Sequence, residues 1–153
     1  MTEVLFYHLE KRSLDDVLPE LVERALALKW RALVRTESAD RAQAIDTLLW
    51  TFSDESFLPH AQLGEGDAAS QPVLITVEPG NPNRADVLFL VGGAIPPIWN
   101  DDALSFSRVA VLFDGRDPAA LSAARAAWAQ AREFGHDTTY WKQSAQGKWG
   151  KQT

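Results

Sequence analysis

Arg125, Trp128 and Arg132 are the residues whose types and spacing most directly suggest binding chemistry. They stand at i, i+3 and i+7 in an alanine-rich segment, so a helix would place all three on one face. Two guanidinium groups beside an indole ring can pair with carboxylates while the ring packs against an apolar side chain. The spacing also fits a second interpretation, in which Trp128 belongs to the core and the arginines form a solvated edge.

Catalytic and metal-binding chemistry has weaker support. The histidines His8, His60 and His136 are far apart in sequence, and no pair of them has the spacing of metal ligands. A hydrolase or nuclease-like site would require His8 and His60 to meet Asp46 through folding, and this stays open as an alternative. The chain has no G-x-x-x-x-G-K-[ST] phosphate loop, no G-x-G-x-x-G after its first predicted strand and no G-x-S-x-G turn. We therefore expect no catalytic residue, no metal and no cofactor.

The charge distribution sets the end of the chain apart. The formal net charge is −6, but residues 1–115 carry nine Lys/Arg against eighteen Asp/Glu, whereas residues 116–153 carry six against three. The acidic bulk argues against a general nucleic-acid-binding surface, and the basic end suits an acidic peptide or a short anionic group. A direct single-stranded-DNA binder that uses the aromatic, basic tail is a further alternative.

Length and composition indicate an ordinary globular protein. A chain of 153 residues with 46% hydrophobic content is long enough for one domain with one sizeable core. The absence of cysteine excludes disulfides and thiolate metal sites and agrees with a cytoplasmic location. No run of eighteen apolar residues and no signal-peptide pattern is present, so we expect neither a membrane span nor a secretion signal.

The elements that must position the candidate residues alternate between strand and helix. Short apolar runs predict five strands, and periodic apolar residues predict three helices. The helices are expected to begin near Asp15 or Asp16 with Pro19 in the first turn, at Ala39 after the N-cap Ser38, and at Pro118 after the N-cap Asp117. The strands are expected at 4–7, 32–36, 73–77, 87–91 and 109–113. This pattern predicts an α/β sandwich with a mainly parallel sheet and some antiparallel pairing.

The segment from Leu48 to His60 closes the second predicted helix. Ala42, Ile45, Leu48 and Leu49 are assigned to its buried stripe. Trp50 is followed seven residues later by Phe57, ahead of Leu58-Pro59-His60, and this segment forms an apolar corner that is either buried or offered to a partner. The polar tail from His136 carries no predicted helix or strand.

The chain resembles the chi subunit family of bacterial DNA polymerase III in six motifs. Members of that family are clamp-loader accessory proteins. The motifs occur in the family's order over nearly the whole chain, and the combination of Asp-x-x-Leu-Trp with Ser-Phe-Leu-Pro-His is specific. The motifs are Phe6-Tyr7-His8, Ile45-Asp46, Leu49-Trp50, Phe57-Leu58-Pro59-His60, Arg125-x-x-Trp128 with Arg132-x-x-Gly135, and Tyr140-Trp141-Lys142.

The resemblance implies a three-layer α/β fold of helicase or nucleotide-binding type that lacks a phosphate loop. It implies a non-catalytic adaptor that binds the acidic, phenylalanine-ended C-terminal tail of single-stranded-DNA-binding protein and reaches the clamp loader through a psi subunit. The tail-binding surface carries over to Arg125, Trp128 and Arg132. The psi-facing surface carries over to Trp50, Phe57, Leu58 and Pro59.

Two features depart from the family pattern. Ala129 stands where chi-like chains are expected to carry a lysine, which would remove one basic contact. Chi-like chains also end near Trp141-Lys142, so residues 1–142 are expected to form the domain and residues 143–153 an extension whose order the sequence leaves open. The extension could enlarge the basic patch through Lys148, Trp149 and Lys151, or could be a disordered tail.

Overall fold

The computed structural model of the chain describes residues 2–51, 61–62, 68–78, 80–93, 105–144 and 146–152. Its α-helices are α1 (Leu14–Ala27), α2 (Ala39–Thr51) and α3 (Pro118–Glu133), and Ala68–Ser70 forms a short 3-10 helix. Its strands are β1 (Glu3–Leu9), β2 (Ala32–Arg35), β3 (Ala61–Gln62), β4 (Val73–Thr76), β5 (Val87–Leu90), β6 (Arg108–Asp114), β7 (Asp137–Gln143) and β8 (Trp149–Gln152). The five predicted strands correspond to β1, β2, β4, β5 and β6.

The strands of the described residues form one sheet in the order β3-β4-β2-β5-β6-β1-β7-β8. Every neighbouring pair is parallel except β7 and β8, which are antiparallel. The chain leaves β1 through α1 toward β2, and it leaves β6 through α3, passing over β1 to reach β7. The prediction of a mainly parallel sheet with some antiparallel pairing is confirmed.

Helices cover both faces of this sheet. Leu18 of α1 and Ile45 of α2 belong to one buried cluster. Ala127 of α3 and Phe6 of β1 belong to a second cluster on the opposite face. Because successive side chains of a strand point to opposite faces, Leu9 of β1 joins the first cluster although Phe6 joins the second. The predicted three-layer α/β sandwich is therefore confirmed.

Helix α1 begins earlier than predicted. Its N-cap is Ser13, and Asp16 serves as the third helical residue, whose Oδ2 accepts from the backbone N–H of Ser13 at 3.4 Å. Asp16 is therefore part of the capping arrangement and does not precede the helix. As a result Pro19 falls in the second turn, where its ring removes one hydrogen-bond donor within the helix.

Helix α2 follows its predicted boundary more closely. The Oγ of Ser38 accepts from the backbone N–H of Arg41 at 3.1 Å, so the predicted N-cap is confirmed. Ile45 and Leu49 are buried, but Leu48 is only half-buried because it lies at the edge of the apolar stripe. Within the described part of the chain, no helix has both the length and the apolarity that crossing a membrane requires.

The polar tail contributes two strands that the sequence did not indicate. β7 pairs with β1 in parallel, and β8 folds back on β7, so residues 149–152 lie at the edge of the sheet. The Trp149 ring packs edge-on against Tyr7 at 5.2 Å between centroids. Tyr7 belongs to the face covered by α1, so Trp149 lies on the opposite face from α3 and does not enlarge the arginine patch.

Gln143, the last residue of β7, ties this tail to the loop after β1. Its side chain is buried, and its Oε1 accepts from three successive backbone N–H groups, those of Glu10, Lys11 and Arg12, at 3.0, 2.9 and 3.0 Å. Three amides that converge on one oxygen form a concave donor site of the kind that binds anions in other loops. Here the chain fills that site with its own amide oxygen.

Candidate functional site

Helix α3 presents the three predicted binding residues beside a closely packed face. The Oδ1 of Asp117 accepts from the backbone N–H of Ala119 at 3.0 Å, which confirms the predicted cap. Small side chains let the helix lie close to the sheet, and the buried ones are Ala124, Ala127 and Ala131. Arg125 and Arg132 are exposed, and Trp128 between them is half-buried.

Trp128 belongs to an aromatic cluster on the α3 face of the sheet. Its ring meets Phe6 edge-on at 5.4 Å between centroids and Tyr140 edge-on at 5.7 Å. The guanidinium carbon of Arg132 lies 5.8 Å from the centroid of the Trp128 ring, within the range of a cation–π contact. Trp128 is therefore both a packing residue and an accessible one, and the two interpretations of its spacing each describe part of it.

Tyr140 connects this cluster to a polar chain at the end of β1. Its hydroxyl lies 2.7 Å from Nδ1 of His8, and Nε2 of His8 lies 2.8 Å from Oε1 of Glu10. Lys142 follows, with its Nζ 3.7 Å from the same carboxylate oxygen. Burial is the largest effect on Tyr140 and raises the pKa of its hydroxyl, while the nearby Arg125 guanidinium opposes that rise.

The candidate site thus contains two residues that sequence reasoning did not assign to it. Phe6 pairs with Tyr140 and His8 pairs with Lys142 in the parallel register of β1 and β7, so Tyr140 and Lys142 share the face that α3 covers. We define the α3 site as Arg125, Trp128, Arg132, Tyr140 and Lys142. The motif Tyr140-Trp141-Lys142 was visible in the sequence, but only the strand pairing shows which of its side chains face α3.

The two arginines of the α3 site differ from several other arginines of the chain in their ion pairing. No carboxylate of the described residues forms an ion pair with Arg125 or Arg132. By contrast, four other arginines lie within 4.0 Å of a carboxylate, and these pairs are Arg12–Glu20, Arg41–Glu37, Arg108–Glu3 and Arg116–Asp114. The α3 site therefore carries cationic charge that this part of the chain does not neutralise.

The second predicted surface lies partly outside the described residues. Trp50, at the end of α2, is 54% exposed, an unusual value for so large an apolar side chain. Phe57, Leu58 and Pro59 lie outside the described residues, as does His60. The assignment of these residues to a partner surface stays a prediction.

The residues of the enzyme alternative do not converge where the structure describes them. His8 contacts Phe113 and Tyr140 on the α3 face, whereas Asp46 belongs to α2 on the opposite face. The described ranges contain no group of three or more His, Cys, Asp or Glu side chains that could hold a metal ion. His8 and Asp46 therefore lie on opposite faces of the sheet and do not form one site.

A crevice of about 870 Å³ lies at the carboxyl ends of β1, β5 and β6, where open α/β sheets commonly bind ligands. Its lining includes Gly92 and Gly93, several alanines of α3, and the arginines Arg12, Arg41 and Arg116. Each of these arginines is paired with a carboxylate of the chain itself. The crevice therefore has a largely apolar wall and neutralised cations, and we assign no phosphate site to it.

Comparison with known proteins identifies the family to which the chain belongs. Residues 1–139 match the family model described as DNA polymerase III chi subunit, HolC. The probable DNA polymerase III subunit chi of Rickettsia prowazekii is 28% identical over 91 residues, which cover 60% of this chain and 55% of that relative. The DNA polymerase III subunit chi of Escherichia coli is 30% identical over 117 residues, covering 71% of this chain and 77% of the relative. The chain therefore belongs to the DNA polymerase III chi subunit family.

Proposed function

We propose that this chain is a non-catalytic adaptor of the cytoplasmic replication machinery. Its α3 site binds the acidic, phenylalanine-ended C-terminal tail of single-stranded-DNA-binding protein. A second surface joins it to the clamp loader of DNA polymerase III through a psi-like subunit. Membership of the chi family supports an accessory role in replication, and the two protein contacts are our proposal.

The observation that carries the tail-binding proposal is that two arginines without an ion-pair partner in the described residues stand beside an accessible aromatic ring. Arg125 and Arg132 have no carboxylate partner within the described residues, and they flank the half-buried Trp128. A guanidinium forms two parallel hydrogen bonds with a carboxylate, so each arginine can bind one acidic group of a peptide. The Trp128 ring offers an apolar surface to a terminal phenylalanine.

Lys142 supplies a third cation at the α3 site. Its side chain is 44% exposed and its ammonium nitrogen lies 3.7 Å from Oε1 of Glu10, so an incoming carboxylate can compete for it. Ala129 removes the lysine that the family pattern leads us to expect on α3. We propose that Lys142 of β7, which belongs to the family motif, remains as the third cation of the site although Ala129 carries no charge.

Trp50 supports the second contact surface. Its large exposed ring lies on α2, across the sheet from α3, so one partner at each surface would not exclude the other. We propose that Trp50 contributes to the surface for a psi-like partner together with Phe57, Leu58 and Pro59. Trp50→Ala would then weaken that contact and leave tail binding unchanged.

Calorimetric titration with a short peptide that carries several aspartates and a C-terminal phenylalanine tests the tail-binding site. Arg125→Glu should weaken binding about tenfold or more, because it replaces an attraction to carboxylates with a repulsion. The matched control is Arg24→Glu, which makes the same charge change on exposed α1 across the sheet. Binding should also weaken as salt rises, because exposed ion pairs are screened.

Three results would contradict the proposal in different ways. No binding of the peptide by the native chain would remove the function. Equal affinities for the native chain and Arg125→Glu would move the site away from α3. Equal losses in Arg125→Glu and Arg24→Glu would show that only the overall charge of the protein matters.

A further inference from the structure

The hydrogen bonds that link Tyr140, His8 and Glu10 determine which way the Tyr140 hydroxyl points its hydrogen. Tyr140 Oη lies 2.7 Å from Nδ1 of His8, and Glu10 Oε1 lies 2.8 Å from Nε2. His8 is buried at 5% exposure and packs against both Phe113 and Tyr140, with ring centroids 5.2 and 5.9 Å away. Two aromatic rings and a hydrogen-bond partner at each nitrogen therefore hold the imidazole in place.

The protons along these hydrogen bonds follow from the chemistry of the end groups. An ionised carboxylate can only accept hydrogen bonds, so in the neutral form of His8 the imidazole hydrogen lies on Nε2, where it faces Glu10. Nδ1 of His8 is then an acceptor, and the Tyr140 hydroxyl must donate to it. The oxygen of Tyr140 keeps only its acceptor capacity for any other partner.

We propose that Tyr140 is a positioning residue of the α3 site that accepts a hydrogen bond from a backbone N–H of the bound peptide. This inference rests on the proposed tail-binding function and adds a specificity rule to it. The arginines recognise the carboxylates of the peptide, whereas the oriented hydroxyl recognises its main chain. A side-chain carboxylate, which is also only an acceptor, cannot take the Tyr140 position.

The location of Tyr140 supports this role. Its ring packs edge-on against Trp128 at 5.7 Å and is stacked near Phe6 at 6.4 Å, so the hydroxyl has a fixed place next to the proposed aromatic contact. Glu10 is 38% exposed and also lies 3.7 Å from Lys142. The polar chain therefore connects the accessible end of the site to the buried His8 without a break.

Ester substitution in the peptide tests the inference directly. Replacing one backbone amide with an ester removes a single N–H donor and keeps the side chains unchanged. The acidic, phenylalanine-ended peptide is made with an ester at each backbone amide near its C-terminus in turn, and each version is titrated against the native chain and Tyr140→Phe. One ester should weaken binding to the native chain about threefold to tenfold, and the same ester should have no effect on Tyr140→Phe.

A second variant tests how the hydroxyl is oriented. Glu10→Ala removes the carboxylate that fixes the imidazole tautomer, so the ester-to-amide affinity ratio should move toward that of Tyr140→Phe. The ratio is insensitive to a general change in affinity that a freed Lys142 would cause. Circular dichroism on each variant establishes that it is folded before titration.

The outcomes separate this inference from the proposed function. Failure of the all-amide peptide to bind the native chain would overturn the tail-binding proposal and this inference with it. Normal binding with equal ester effects in the native chain and Tyr140→Phe would overturn the inference alone. An unchanged ratio in Glu10→Ala would refute the orientation by His8 and Glu10.

Discussion

Replacing Gln143 with methionine should destabilise the chain, because it removes the oxygen on which three backbone N–H groups converge. The distances from Gln143 Oε1 to the nitrogens of Glu10, Lys11 and Arg12 are 3.0, 2.9 and 3.0 Å. Methionine has a similar length and unbranched shape but no comparable acceptor. The amide of Gln143 cannot be reversed in this position, because its NH₂ group would then face three donors.

The expected magnitude comes from two opposing contributions. Three hydrogen bonds at about 1 kcal/mol each would lose about 3 kcal/mol of unfolding free energy. The buried side-chain nitrogen of Gln143 has no partner among the described residues, and its removal returns about 1 kcal/mol. The net loss should be about 2 kcal/mol, which corresponds to a decrease in Tm of about 4–8 °C for a chain of this size.

Thermal and urea unfolding of the full chain, followed by circular dichroism, measure this loss. Gln130→Met makes the same substitution on the exposed side of α3 and should change the unfolding free energy by less than about 0.5 kcal/mol. If Gln143→Met unfolds at the same temperature as the native chain, the three N–H groups gain nothing from the side-chain oxygen.

Gln143→Glu tests whether an acceptor oxygen alone, without the amide nitrogen, stabilises the fold. A carboxylate that accepts three N–H bonds should have a folded-state pKa below its ordinary value of about 4.3. Its stabilising contribution is then present above that pH and is lost as the pH falls through the folded-state pKa. At neutral pH this variant should be more stable than Gln143→Met, and the opposite order would refute the reasoning.

Two further predictions concern the surroundings of His8. Gly115→Ala should cost about 1–3 kcal/mol, because its added Cβ would overlap the His8 imidazole; the cost should shrink in a His8→Ala background, and equal costs in both backgrounds would show that the two residues do not interact. The difference in ultraviolet absorbance between the native chain and Tyr140→Phe should titrate above the ordinary tyrosine pKa of about 10, because burial raises the pKa of Tyr140. The associated stability is present below that ordinary pKa and is lost as the pH rises through the folded-state pKa, so a titration at or below the ordinary value would contradict the burial of the hydroxyl.

Sequence patterns within a few residues were enough to predict two helix caps and a central strand, because each depends on interactions close by in the sequence. The Ser38 and Asp117 side chains cap the helices that follow them, and each needs only a backbone N–H two or three residues away. The buried strand β5 is a continuous apolar run, as a central parallel strand should be. In α1 the same local signal is ambiguous, because Asp16 can act either as a cap or as the third residue of a helix capped by Ser13.

Strand β7 shows what local signals could not predict. Its sequence Asp-Thr-Thr-Tyr-Trp-Lys-Gln has no alternation of apolar and polar residues, and most of its side chains are only half-buried. It becomes a strand because β1 offers a full row of backbone partners along Glu3–His8. Tyr140 and Lys142 belong to the α3 site only through that register, whereas Arg125, Trp128 and Arg132 share a face through helical spacing alone.

The loop after β1 differs in one physical respect from the corresponding loop of parallel α/β folds that bind nucleotides. In such folds the backbone N–H groups that follow the first strand bind an anion at the carboxyl end of the sheet. In this chain the corresponding N–H groups of residues 10–12 already have an acceptor, the Oε1 of Gln143, which is covalently part of the sheet. An internal acceptor satisfies these donors permanently and holds β7 against β1 at its far end. The same pairing of β7 with β1 that brings Gln143 to these donors places Tyr140 and Lys142 beside α3, so one strand pairing explains both features.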